Sequence, residues 1–226
     1  ENNFRNIPQI LEDAGVATID GALFDLGWSS DQVSDPERGM SFQTEAPLDM
    51  RLSGGDNTSS ITAFDVVNEW SEETIADIIY AFGDERYARR IAKALAAARQ
   101  EKPIRTTTEL AALVKQSVPA RYRHGATHPA TKTFQALRIV VNDEYGALKE
   151  MLSHIIDRLS TGGTIAIISF HSGEDRIVKK FFREHADNGV LELLTKKPVT
   201  PSDKELSINP RSRSAKLRVA AKINHL

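Results

Sequence analysis

The sequence predicts an α/β protein, an open sheet carrying an all-helical insertion, and three observations point there. Two short apolar runs, at 18–27 and 164–170, lack polar alternation, as strands buried on both faces of a parallel sheet do. Between them, from about 61 to 125, the apolar spacing is helical throughout. Each apolar run also ends in a polar cluster, Asp25 to Ser30 in one case and Ser169 to Ser172 in the other. Open α/β sheets bind ligands at the carboxyl ends of their strands, so the two clusters mark a candidate site.

The elements follow in order. Residues 5–17 form a short amphipathic helix with Ile7, Ile10, Leu11 and Ala14 on one face. The strand at 18–27 is stopped by Gly27 and two serines, and 31–60 reads as loop, rich in Pro, Gly, Ser, Asp and Asn. Ser71 before Glu72 and Glu73 starts a helix with Ile75, Ile78, Ile79 and Phe82 as its stripe. A second helix at about 84–100 turns Ala88, Ile91 and Leu95 inward. Thr106 with Glu109 is a capping box opening a third, with Leu110, Leu113 and Val114 inward.

Residues 129–160 read as one long helix, with a break expected near Gly146 if anywhere, because Phe134, Leu137, Val141, Tyr145, Leu148, Leu152, Ile155 and Leu159 keep a three-to-four step. Gly162 and Gly163 then stop it. After the strand at 164–170 come a helix at 174–186, a strand near 190–195, a polar loop and a last strand at 216–223. The domains expected are a sheet core in two parts, 1–60 and 128–226, with a helical insertion at 61–127.

Composition narrows the chemistry. The 226 residues hold no cysteine, which excludes a disulfide framework, a thiolate nucleophile and a cysteine zinc site. No run approaches the roughly 20 apolar residues of a membrane helix, and no cleavable leader pattern is present, so the expected compartment is the cytoplasm and no membrane partner is expected. Net charge is only −2, so any polyanion must be met by local basic patches. Such patches are Arg121, Arg123, His124, Lys132 and Arg138, and the closely spaced Arg211, Arg213, Lys216 and Arg218. The chain opens Glu-Asn-Asn-Phe without Met, an opening expected of a processed or truncated N-terminus.

Asp25, at a strand end before a glycine turn, is either an Asx-turn residue or a ligand group. His171 follows an apolar strand directly, where loops carry function. Five segments take the matter further: Phe-Asp-Leu-Gly-Trp-Ser-Ser at 24–30; Arg-Gly-Met-Ser-Phe at 38–42 with Pro-Leu-Asp-Met-Arg at 47–51; His-Pro-Ala-Thr-Lys-Thr-Phe-Gln-Ala-Leu-Arg at 128–138 with Asn142; Ser-Phe-His-Ser-Gly-Glu-Asp-Arg-Ile-Val-Lys at 169–179; and Asn-Pro-Arg-Ser-Arg-Ser at 209–214. Each alone is a weak signal. In this order across nearly the whole chain they resemble the ribosomal RNA small subunit methyltransferase H family, bacterial enzymes that methylate a cytosine at N4.

The resemblance implies a Rossmann-like class I methyltransferase sheet, here partial with its first strands missing, and the helical insertion. It implies S-adenosyl-L-methionine as methyl donor and small-subunit ribosomal RNA as partner. The matched cofactor positions are Phe4, Asp25 and Gln32. Asp25 and His171 become catalytic candidates, and Arg121, Arg123, Lys132, Arg138, Arg211 and Arg213 candidates for RNA. No metal is implied, and the oligomeric state stays open, a homodimer included. A cytosine amine is a poor nucleophile, so the chemistry implied is positioning plus an acceptor for its proton, without a covalent intermediate. Methylation at C5 usually needs a cysteine, and zinc-dependent deamination needs cysteine ligands; the chain has neither.

Departures are Trp28 for a small aliphatic residue, Asp31 for proline and Gly173 for leucine. The family's glycine-rich loop and its ribose-binding acid have no counterpart here, so this chain is expected to bind the donor weakly or not at all. The rival readings are a non-catalytic RNA-binding or ribosome-assembly module, and an α/β enzyme using another nucleotide cofactor.

Overall fold

The computed structural model describes residues 3–27, 35–52 and 61–223. Along the chain the helices are α1 (Ile7–Asp13), α2 (Ala63–Glu69), α3 (Glu72–Gly83), α4 (Ala88–Glu101), α5 (Thr107–Ser117), α6 (Ala120–Arg123), α7 (Thr131–Val141), α8 (Glu144–Arg158), α9 (Ser172–Asp187) and α10 (Asp203–Ile208). The strands are β1 (Ile19–Asp25), β2 (Leu159–Ser169), β3 (Leu191–Leu193) and β4 (Lys216–Lys222). Two compact units result, one of Glu1–Gly27 with Tyr145–Leu226 and one of Trp28–Glu144.

The first unit holds the sheet, in the order β1-β2-β4-β3. β1 and β2 are parallel, while β4 runs antiparallel to both its neighbours. The α/β class expected from the sequence is therefore present. Its core gathers Leu26, Leu152, Ile155, Ile165, Ile167, Val178 and Phe182 under α8 and α9. β1 is not the doubly buried strand that its apolar run suggested. Only β2 pairs with it among the described residues, and Leu23 on this edge is 69% exposed.

Gly162 and Gly163 do not stop a helix either. α8 ends at Arg158, and both glycines lie inside β2, where the register with β1 shifts between Ile19 and Gly21. Ser160 Oγ secures this irregularity by donating to Asp20 Oδ1 at 2.6 Å.

The second unit is helical. Ser71 caps α3 and the Thr106–Glu109 capping box opens α5, both as expected. The loop before α2 joins this core: Leu48 and Met50 are buried at 2% and 1% exposure. Asn142 donates to the Met50 carbonyl at 2.8 Å and accepts from Leu52 N–H at 2.8 Å. The unit is thus wider than the 61–127 insertion expected, because both the 47–52 loop and α7 pack on its helices. The long helix expected over 129–160 is broken at Asn142 and Asp143 rather than Gly146. Asp143 takes φ +48, a left-handed turn that Asp tolerates better than most residues.

Candidate active site

The parallel pairing of β1 and β2 sets two chain segments side by side at the carboxyl end of the sheet. Asp25 stands opposite Ile168, and Leu26 N–H donates to the Ile168 carbonyl at 3.0 Å. Leu26 is buried and anchors the strand end, while Gly27 turns the chain with φ +100 and passes against the Phe170 ring. The Asp25 side chain is exposed, and its carboxylate has no hydrogen bond or ion pair among the described residues. The Asx-turn role that would explain it as scaffold is not seen there.

One residue past β2, the chain enters α9 through a built corner. His171 is the N-cap: its Nδ1 accepts from Glu174 N–H at 3.4 Å. Glu174, 4% exposed, returns Oε2 to the N–H groups of Phe170 at 2.8 Å and His171 at 3.3 Å. The other ring nitrogen, Nε2, lies 3.3 Å from Glu174 Oε1. His171 therefore lies at the strand end beside that of Asp25, with Nδ1 committed to the helix and Nε2 buried without a hydrogen bond. The acid pair at this terminus does more than favour a helix dipole. Asp175 holds Arg218 of β4 through contacts of 2.7 and 3.2 Å, with the Lys216 ammonium 3.5 Å away. Burial alone would raise the Asp175 carboxyl, but Arg218 and Lys216 together hold it below the usual carboxylate range.

Tyr145 completes the corner. Its ring lies 5.9 Å from that of His171, tilted by 30°, and its hydroxyl occupies the space beside Gly173 where a side chain would begin. In the sequence Tyr145 shows only as a member of a helix stripe. The one signal that could have exposed it is the glycine at 173, small in the first turn of a helix.

Ser169 of β2 pairs with Lys216 of β4, so the turn preceding β4 starts from the same end of the sheet. This turn, Pro210–Ser214, buries Ser212, whose Oγ donates to the Asn209 carbonyl at 2.7 Å, and leaves Arg211 and Arg213 exposed on either side. The structure thus gathers Asp25, His171 and the 210–214 turn at one sheet end. Phe4 belongs to the same unit, half-buried and packed on the sheet core. Gln32, like Trp28 and Asp31, lies outside the described residues.

The remaining basic candidates lie in the helical unit and differ in kind. Arg138 is 9% exposed and holds Glu144 through contacts of 2.7 and 3.0 Å. Arg123 donates to the carbonyls of Val118 and Gln116, closing the end of α5. Lys132 donates to the Asp84 carbonyl just past α3 at 2.8 Å. Each of these three is engaged within the scaffold, whereas Arg121 is the one of the four that is exposed. A cleft of about 600 Å³ also opens in this unit, beside Phe64 and Arg105. None of the expected site residues lines it.

The model of the MraW methylase family matches residues 1–223. A Deinococcus deserti protein named ribosomal RNA small subunit methyltransferase H is 52% identical over 223 residues, covering 99% of this chain and 71% of its own length. Proteins of the same name from Halothermothrix orenii and Brevibacillus brevis are 47% and 44% identical, each covered over 75% of its length.

Proposed function

The chain belongs to the MraW methylase family, and on that premise we propose that it transfers a methyl group from S-adenosyl-L-methionine to the N4 amine of a cytosine in small-subunit ribosomal RNA. The observation that carries this reading is the Asp25 carboxylate, exposed and without a described partner at the carboxyl end of a parallel strand. A buried core places it there, so no local turn accounts for it.

S-adenosyl-L-methionine, when bound, supplies an electrophilic methyl on a positively charged sulfur. The residues present fit such a group, since an unpaired carboxylate complements a positive charge and accepts hydrogen bonds. Asp25 would accept a hydrogen bond from the N4 amine, orienting its lone pair, and would take the N4 proton when the methyl leaves the sulfur, which departs as a neutral thioether, for the nitrogen. His171, Glu174 and Tyr145 hold the β2–α9 corner rigid beside it, which makes them positioning residues. Phe4 offers an apolar ring for an adenine, and Gln32 is a further polar contact implied by the family likeness. Arg211 and Arg213 stand outward at the same sheet end to meet phosphates, with Arg121 a further contact.

The test is an assay with isotope-labelled S-adenosyl-L-methionine and immature small ribosomal subunits, followed by mass spectrometry of the RNA nucleosides. Label on the N4 position of one cytosine supports the proposal. Label on C5, on ribose or on protein refutes the stated chemistry, and RNA binding without any transfer supports the assembly-module rival.

A further inference from the structure

We propose that the exposed face of α9 is an RNA-phosphate track leading away from the candidate active site, an inference that rests on the reading of the substrate as RNA. α9 is a 16-residue helix whose inner face buries Val178 and Phe182 at 1% and 2% exposure. Its outer face carries Arg176, Lys179, Lys180 and Arg183, all exposed. Arg176 and Lys179 are three residues apart, as are Lys180 and Arg183; Arg176 and Lys180 are four apart, as are Lys179 and Arg183. At 100° per residue these positions fall on one stripe about 100° wide.

Neighbours at these spacings touch, and like charges there destabilise a helix. A merely solvated face normally interleaves acids. Of the acids near this stripe, Asp175 is taken by Arg218, Glu184 lies on the flank and pairs with Lys180 at 3.6 Å, and Asp187 ends the stripe one turn beyond Arg183; Lys179 and Arg183 have no ion pair among the described residues. Four cations within two turns leave this face net positive, which suits a polyanion. Because the apolar face of α9 is already buried in its own core, the helix has nothing to insert into a lipid surface.

Position gives the track its direction. The N-cap of α9 is His171, at the sheet end that also holds Asp25 and the 210–214 turn. From Arg176 to Arg183 the helix advances about 10 Å, which is about three nucleotides at ~3.4 Å of axis per nucleotide. A strand entering the site would therefore keep its backbone on α9 while one base reaches Asp25.

The test measures binding of small-subunit ribosomal RNA transcripts to the full chain as a function of salt. The Lys179→Gln, Lys180→Gln, Arg183→Gln triple variant is compared with a charge-retaining Lys179→Arg, Lys180→Arg, Arg183→Lys variant; Arg176 is left intact near the corner. Each lost phosphate contact should lower the slope of log affinity against log salt by about 0.7–0.9, so the glutamine variant should lose about two units of slope and tenfold or more in affinity. The charge-retaining variant should keep the wild-type slope, and neither variant should unfold below the wild-type temperature. A wild-type slope in the glutamine variant refutes the track alone. If the wild-type protein shows no salt-dependent binding to the transcripts, the track and the RNA reading fail together. Slope loss in a protein that transfers no methyl group upholds the track while refuting the methyl-transfer reading.

Discussion

The hydroxyl of Tyr145 fills the space beside Gly173 that any Cβ at that position would need. Gly173 is thus held by a close approach at the first turn of α9, and Tyr145 and Gly173 act as one packing unit against His171.

This relationship predicts a compensating pair. Gly173→Leu, which restores the residue expected from the family likeness, should destabilise the protein by about 1–3 kcal/mol through overpacking. Tyr145→Ala in that background should recover part of the loss, although Tyr145→Ala alone also destabilises. Denaturant midpoints of the four proteins in the cycle give the coupling. Additive effects would mean that the two side chains do not share this space.

Asp25→Ala should leave unfolding unchanged, since the side chain is exposed. Activity should fall roughly ten- to hundredfold or more, the equivalent of one or two charge-assisted hydrogen bonds at ~1.5–3 kcal/mol each. Turnover and donor affinity measured separately will show which contact was lost. Near-normal turnover would leave Asp25 without a part in catalysis.

Arg138 and Arg213 should behave oppositely. Arg138→Ala strands Glu144, whose side chain is only 13% exposed, and should cost about 3–5 kcal/mol of stability with no change in RNA salt dependence. Arg213→Ala should leave stability intact and lower the salt slope by about one. A reduced slope in correctly folded Arg138→Ala protein would restore Arg138 as an RNA contact.

Alkali should weaken the helical unit through Tyr122. Burial, then its 2.6 Å hydrogen bond to the fully buried Glu85, pushes the phenol from 10.0 up to about 12. The folded state therefore holds the proton more tightly, so this stabilisation is complete below pH 10 and declines as pH rises to about 12. Tyr122→Phe should abolish that alkaline decline and cost about 1–3 kcal/mol at neutral pH, because Glu85 loses a donor. Unfolding free energies measured across this pH range in both proteins decide the matter; the same alkaline decline in Tyr122→Phe would assign it elsewhere.

The sequence by itself determined what short-range physics controls. Apolar periodicity located most helices and strands, and the capping residues Ser71 and Thr106 set the starts of α3 and α5, since caps satisfy backbone N–H groups within one turn. The polar clusters after two apolar runs also pointed correctly to the two strand ends, because parallel pairing aligns carboxyl ends. Tertiary structure alone decided which cations are free. Arg138 and Arg213 are both basic positions in the sequence, but only folding brings Glu144 onto the first and leaves the second in solvent. It likewise decided that the helical stripe over 129–160 breaks at Asp143, where one left-handed residue redirects the chain without disturbing the three-to-four spacing. The Tyr145–Gly173 approach was invisible for the same reason. A glycine states only that space is needed, and what fills the space is a neighbour 28 positions earlier in the chain.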